Sequence, residues 1–63
     1  MSDMNTEIDR TYEGLCNNKD ECTKALETER KMIMEKLQKG KISEFHFQIL
    51  NRKIYDYKNK LVS

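Results

Sequence analysis

Residues 37–47, LQKGKISEFHF, contain signals for the end of one helix and the start of the next. Gly40 suits the left-handed position that follows a helix, where residues with a Cβ are disfavoured. Ser43 is a good N-cap residue, and Glu44 places a negative charge in the first turn after it, where the helix dipole favours one. These residues predict a tight turn at 40–43 between two antiparallel helices.

The helix after this turn is predicted over residues 44–61. Ile42, just before the cap, can pack on Phe47 as a hydrophobic staple. From Phe47 onward the apolar residues recur at alternating spacings of three and four, which is typical of a coiled-coil seam. This set comprises Phe47, Leu50, Ile54, Tyr57 and Leu61.

The helix before the turn is predicted to be long, over residues 3–39. On a helix of about 100° per residue, eight of its apolar residues fall within about 40° of one line, without a phase shift. Lys19 and Arg30 are the charged residues on that line. The apolar members of this line, here called the seam, are Met4, Ile8, Tyr12, Leu15, Cys22, Leu26, Ile33 and Leu37.

An alternative is a break in this helix near residues 17–18. Asn17, Asn18, Lys19 and Asp20 are four consecutive residues of low helix propensity. Asn18, followed three positions later by Glu21, also resembles a capping box. Seam continuity favours one long helix, whereas local propensity favours a short N-terminal helix and a three-helix chain.

The lengths of the two predicted helices differ about twofold, roughly 55 Å against 27 Å at 1.5 Å per residue. Folded back, the second helix covers only the later part of the first. The predicted hairpin core is Cys22, Leu26, Ile33, Leu37, Phe47, Leu50, Ile54, Tyr57 and Leu61.

The early part of the seam would then lack an intramolecular partner, and an exposed apolar stripe of this kind indicates association. Two copies that bury each other's stripe would form a homodimeric four-helix bundle. The alternative partner for the same stripe is another protein. The predicted self-association interface consists of Met4, Ile8, Tyr12 and Leu15.

The segment Gly40-Lys41-Ile42-Ser43, followed by Phe47, resembles the SHOCT family of short helical-hairpin modules found at the ends of bacterial and archaeal proteins. The family pattern is Gly-x-Ile-Thr, then any two residues, then Glu-Phe. The similarity spans residues 37–61. His46 stands where the family has Glu, and the lysines that typically follow the Phe are displaced. The resemblance implies oligomerisation or partner binding, with no catalytic residues to carry over.

The composition indicates a single domain, residues 1–63, that is not an enzyme. The chain has 63 residues, of which 37 % are charged, with two glycines and no proline. Two narrow helices offer no concave site for catalysis. We find no zinc, EF-hand or phosphate-loop motif, so no cofactor or metal is expected. No apolar run is long enough for a membrane span or a signal peptide.

Two cysteines are too few for a disulfide framework of the kind that small secreted domains use. Cys16 and Cys22 would lie about 240° apart on a helix and roughly 9 Å along its axis. This separation exceeds disulfide reach, and a disulfide becomes possible only if the chain turns between the two cysteines. We interpret both as reduced thiols in a cytoplasmic protein.

Charge is divided unevenly along the chain. Three basic and eight acidic residues precede position 30, and nine basic and three acidic residues follow from there. Electrostatic attraction within a hairpin or between copies explains this division. We expect a small regulatory or adaptor protein that binds other proteins by coiled-coil-like packing. The alternative is a nucleic-acid-associated protein that uses Lys36, Lys39, Lys41, Arg52 and Lys53.

Overall fold

A computed structural model describes residues 4–62, which form three helices joined by two short turns. Helix α1 spans Met4–Leu15, α2 spans Lys19–Gln38 and α3 spans Glu44–Val62. The predicted all-helical class is confirmed, and the three-helix alternative fits. The predicted helix start at residue 3 lies outside the described residues.

The prediction of one continuous helix over 3–39 is wrong, because the chain turns between Leu15 and Lys19. Asn18 is the N-cap of α2: its backbone is extended, with φ −120° and ψ 96°, and its Oδ1 accepts a hydrogen bond from Glu21 N at 3.3 Å. Asn18 N in turn donates to Leu15 O at 2.9 Å and closes the end of α1. Local capping therefore prevails over the continuous seam.

The turn between α2 and α3 is as the glycine signal predicts. Gly40 has φ +74°, in the left-handed region. Gly40 N donates to Leu37 O at 3.1 Å, and Lys41 N donates to Lys36 O at 2.8 Å. These two bonds make up the Schellman motif, which satisfies carbonyls that the end of a helix leaves unpaired.

Helix α3 begins at the predicted cap. Ser43 Oγ accepts a hydrogen bond from His46 N at 3.1 Å, and Ser43 O accepts one from Phe47 N at 2.9 Å. Ile42 and Phe47, the two residues of the predicted staple, are both half-buried against the core. Capping and apolar packing together set the direction in which α3 leaves the turn.

The helices alternate in direction and pack around one core. Arg30 contacts Asn51 and Glu27 contacts Lys58, so α2 and α3 are antiparallel. The longest dimension is 34 Å, close to the length of α2 alone and well short of a 55 Å helix. The buried apolar side chains are Met4, Ile8, Cys22, Leu26, Ile33, Leu50, Ile54 and Leu61.

Six of the nine residues of the predicted hairpin core are among these buried side chains. Phe47 and Tyr57 are half-buried and pack against them, and Leu37 is half-buried. The members that lie in the interior are Cys22, Leu26, Ile33, Leu50, Ile54 and Leu61.

The expectation that the early seam lacks an intramolecular partner is also wrong. Ile8 is fully buried and Met4 is 7 % exposed within a single chain. Tyr12 and Leu15 pack against the same core. Because the turn at 16–18 folds α1 back onto the α2–α3 pair, these four side chains complete the core of their own chain. The unpartnered apolar stripe from which the self-association interface is predicted is therefore absent from the described residues.

Candidate interaction surface

The α2–α3 pair has two long faces, and α1 lies on one of them, here called the covered face. Lys53 anchors α1 from α3: its Nζ lies 2.8 Å from Asp9 Oδ2 and 2.7 Å from Asn5 Oδ1. The same Nζ is 3.4 Å from Asn5 O. One lysine of α3 thus holds two turns of α1. Asn5 pairs with Lys53, and Tyr12 pairs with Tyr57 further along both helices, so α1 runs parallel to α3.

Tyr57 is the second anchor of the covered face. Its ring stacks on that of Tyr12, with centroids 4.2 Å apart and planes inclined by 12°. Its hydroxyl donates a hydrogen bond to Asp9 Oδ1. This bond, together with burial, raises the pKa of Tyr57 to about 12. Conversely, hydrogen bonds from Lys53 and Tyr57 lower the pKa of Asp9, so this carboxylate is held charged.

Glu29 is the buried charged residue of the described chain, 8 % exposed, on the side of α2 that α1 covers. Its Oε1 lies 3.5 Å from Thr11 Oγ1, a long hydrogen bond, since that hydroxyl also donates to Glu7 O at 2.9 Å. Its Oε2 has no hydrogen-bond partner among residues 4–62. Burial, and then the charge of Glu7, raise the pKa of Glu29, and Thr11 and Lys36 oppose this rise.

The opposite face of the α2–α3 pair carries no helix within the described range, and we call it the open face. Two adjoining cavities of about 160 and 350 Å³ lie along it, both bordered by Arg30 and Lys58. Ile54 reaches the first cavity. The other side chains along the open face are Glu27, Lys31, Met34, Asn51 and Tyr55.

Helical geometry explains why the two faces are separate. Tyr55 is two residues from both Lys53 and Tyr57, which places it about 200° around α3 from each of these anchors. In α2, Lys31 is likewise two residues from Glu29 and points about 200° away from it. Side chains two positions apart in sequence therefore serve opposite faces of the pair.

The open face combines exposed apolar groups with an excess of cations. Tyr55 is 63 % exposed and Met34 is 38 % exposed. Arg30 Nε donates to Asn51 Oδ1 at 3.0 Å. Lys58 Nζ lies 3.4 Å from Glu27 Oε1. With Lys31, the face presents three cations and one carboxylate, so it suits a partner that is both apolar and acidic.

The five lysine and arginine residues of the nucleic-acid alternative do not form one surface. Lys53 is engaged with Asp9 on the covered face. Arg52 is exposed, but it lies about 12 Å along α3 from the turn that carries Lys39 and Lys41. Lys36 is half-buried in the last turn of α2. Lys39, Lys41 and Arg52 remain as exposed cations of this set.

Sequence reasoning missed the open face, although one signal for it was present. Arg30 lies on the same helical line as the seam, where a charged residue is unexpected. The structure places it at the edge of the core, next to Asn51. Tyr55 and Met34 are large apolar residues away from the seam, and both are exposed. An arginine on the line of the seam and large apolar residues off that line are the sequence features that mark this face.

The described residues contain no group of three or more His, Cys, Asp and Glu placed to bind a metal. Cys16 is exposed in the turn between α1 and α2, Cys22 is buried, and both are free thiols. Across residues 4–62, no helix combines the length and apolar character that a membrane span requires.

Comparison with known proteins gives no relative to guide the interpretation. The chain matches no protein-family model, no curated protein and no solved structure. The resemblance of residues 37–61 to SHOCT modules therefore stays a hypothesis.

Proposed function

We propose that this protein is a non-enzymatic protein-binding module, a small adaptor or regulatory protein that acts through helix packing. The observation that carries the proposal is the open face, where Tyr55 is 63 % exposed between Arg30 and Lys58. Tyrosine and arginine are enriched at the energetic centres of protein interfaces. A groove between two antiparallel helices is a common binding site for a third helix.

The covered face supports this proposal, because α1 of the same chain packs there against the α2–α3 pair. There α1 supplies an aromatic ring to Tyr57 and a carboxylate to Lys53. The open face offers the same two kinds of group in Tyr55 and Lys58. A helix bound there would complete a four-helix arrangement.

Homodimerisation through the open face is disfavoured by charge. Two open faces in contact would bring Arg30, Lys31 and Lys58 of each copy together, and juxtaposed like charges oppose association. We therefore expect a partner of different sequence, and we expect the isolated chain to be a monomer.

Nucleic-acid binding is the second candidate, and it depends on the exposed cations Lys39, Lys41 and Arg52. The ring of Phe45, 74 % exposed and seven residues before Arg52 on the same side of α3, is the observation that favours this candidate. If this candidate holds, a fluorescent oligonucleotide binds at low salt and is released steeply as salt is raised.

Site-specific photocrosslinking in cells would test the proposal. A benzophenone amino acid at position 55 is expected to give one discrete protein adduct that excess unmodified protein competes away. The same group at position 52, on the outer side of α3, is the matched control and should give no such adduct. The adduct at position 55 should also disappear in the Lys58→Glu background. Equal labelling from both positions, or none from position 55, would contradict the proposal.

A further inference from the structure

The helix that the chain already binds is acidic and amphipathic. Helix α1 carries Glu7, Asp9 and Glu13 against a single Arg10, and Ile8 on its apolar side is fully buried. Its central contact is the Asp9 carboxylate, held between Lys53 Nζ and the Tyr57 hydroxyl. The α2–α3 pair thus recognises a helix by one apolar stripe and one flanking carboxylate.

From this arrangement we propose that the open face binds an acidic amphipathic helix of another protein. Its carboxylates would pair with Arg30, Lys31 and Lys58, and an apolar side chain would pack on Tyr55. This inference rests on the proposed function and adds the chemistry of the partner.

The cations of the open face have donors to offer. A guanidinium has five N–H donors, and Arg30 spends its Nε–H on Asn51 at 3.0 Å, so its terminal amino groups are suited to a bidentate carboxylate contact. Lys58 is 3.4 Å from Glu27, longer than the 2.7–2.9 Å typical of a tight ion pair, and both side chains are partly exposed. A partner carboxylate can therefore replace Glu27 at Lys58.

Apolar groups between these cations favour an amphipathic helix over a purely polyanionic ligand. Tyr55 supplies a ring that is 63 % exposed, and Met34 supplies a thioether that adapts to different partner shapes. The open face extends from Glu27 to Met34 on α2, about 10 Å, and over a similar length from Asn51 to Lys58 on α3. This length matches two turns of a docked helix.

The test is a titration of the ¹⁵N-labelled full chain, at low salt, with a synthetic amphipathic helix. The probe has leucine at heptad positions a and d, glutamate at e and g, and blocked termini. The control peptide has lysine in place of every glutamate. The glutamate peptide should shift the backbone amide signals of residues 27–34 and 51–58, and the lysine peptide should leave them unchanged.

Charge reversal makes the test specific to the open face. The double variant Arg30→Glu with Lys58→Glu should bind the glutamate peptide at least about tenfold more weakly and should gain affinity for the lysine peptide. Arg52→Glu, which removes a cation from the outer side of α3, should stay within about twofold of the unmodified chain. Tyr55→Ser keeps every charge and should also weaken binding, which covers the case of a double variant that does not fold.

Several outcomes would overturn the inference. Signal changes confined to α1 or to the turn at 40–43 would place the acidic helix elsewhere, and equal binding of both peptides would remove charge selection. Stronger binding of a single-stranded oligonucleotide at the same amides would identify a nucleic acid as the ligand. A crosslinked partner at position 55 without binding of the glutamate peptide would refute the acidic helix alone, whereas loss of both would refute the proposed function as well.

Discussion

The two faces of the α2–α3 pair contain similar side chains in very different situations. On the covered face, Tyr57 stacks on Tyr12 and Lys53 binds Asp9. On the open face, Tyr55 is 63 % exposed next to Lys58. Side-chain type therefore does not decide burial here: an aromatic ring and a lysine become part of the fold only where a third helix supplies their partners.

Helix α1 on the covered face also contributes to the stability of the fold. Chains below about 70–80 residues seldom obtain enough free energy from a single hydrophobic core. Helix α1 adds Met4 and Ile8 to the buried set, next to the six interior residues of the hairpin. The second face can stay open because α1 has completed the core from the first.

Truncating Ile8 tests this contrast with the largest expected effect. Ile8→Ala should lower the free energy of unfolding by about 2–5 kcal/mol, because it leaves a cavity at a fully buried site. Tyr55→Ala, on the open face, should change it by less than about 0.5 kcal/mol. Urea unfolding followed by far-UV circular dichroism measures both values. Similar values for the two variants would mean that α1 does not cover its face.

Removing the cap of α2 tests what directs α1 onto the covered face, with an intermediate effect. Asn18→Ala loses the hydrogen bond from Glu21 N and should cost about 1 kcal/mol of stability. Asn18→Asp keeps a capping oxygen and should stay close to the unmodified chain. Light scattering completes the measurement: a doubled molar mass with increased helicity in Asn18→Ala would favour the continuous helix and its dimer over the folded-back chain.

Glu29 tests the polar part of the contact between α1 and α2, where we expect the smallest effect. The pKa of Glu29 is raised in the folded protein above its ordinary 4.5, so the folded state holds its proton to higher pH than the unfolded state. The cost of burying its charge is therefore absent below pH 4.5 and appears as pH rises through the raised pKa. Glu29→Gln should be more stable than the unmodified chain at pH 7, and this gain should shrink at pH 4.

Two features make the Glu29 measurement interpretable. Asp9 acts in the opposite sense: its stabilising charge is present above its ordinary pKa of 3.8 and is lost as pH falls through its lowered pKa. Its pH range thus lies below that of Glu29. Glu35→Gln, at an exposed position of α2, controls for the loss of one negative charge. A gain in Glu29→Gln that is independent of pH would exclude the buried charge as its cause.

Much of α3 and its turn could be predicted because the signals are local. Gly40 at φ +74° and the Ser43 cap act within a few residues of themselves, and the predicted helix over 44–61 differs from α3 by a single residue at its end. The break at residues 16–18 was harder to predict. Asn18 indicates the break, but the apolar periodicity from Met4 to Leu37 is the same for one long helix and for two helices folded against each other.

The candidate surface was less predictable than the fold. The sequence-based set of cations mixed Lys53, which anchors α1, with Lys39 and Lys41 at the turn. Arg30 and Tyr55, which border the open face, come from different helices and approach each other only when α2 and α3 pair. Sequence order does not reveal such a neighbourhood, because the contact depends on the relative rotation of two helices.

The positions of the helices and of the turn at 40–43 follow from residues close together in the sequence, because propensity, capping and glycine geometry act over a few neighbouring residues. The partner that covers the early seam depends instead on how the three helices pack against one another. The apolar periodicity is the same whether Ile8 is buried against a second copy or against the hairpin of its own chain. The turn at 16–18 brings α1 back onto α2 and α3, and Lys53, Asp9 and Tyr57 hold it there.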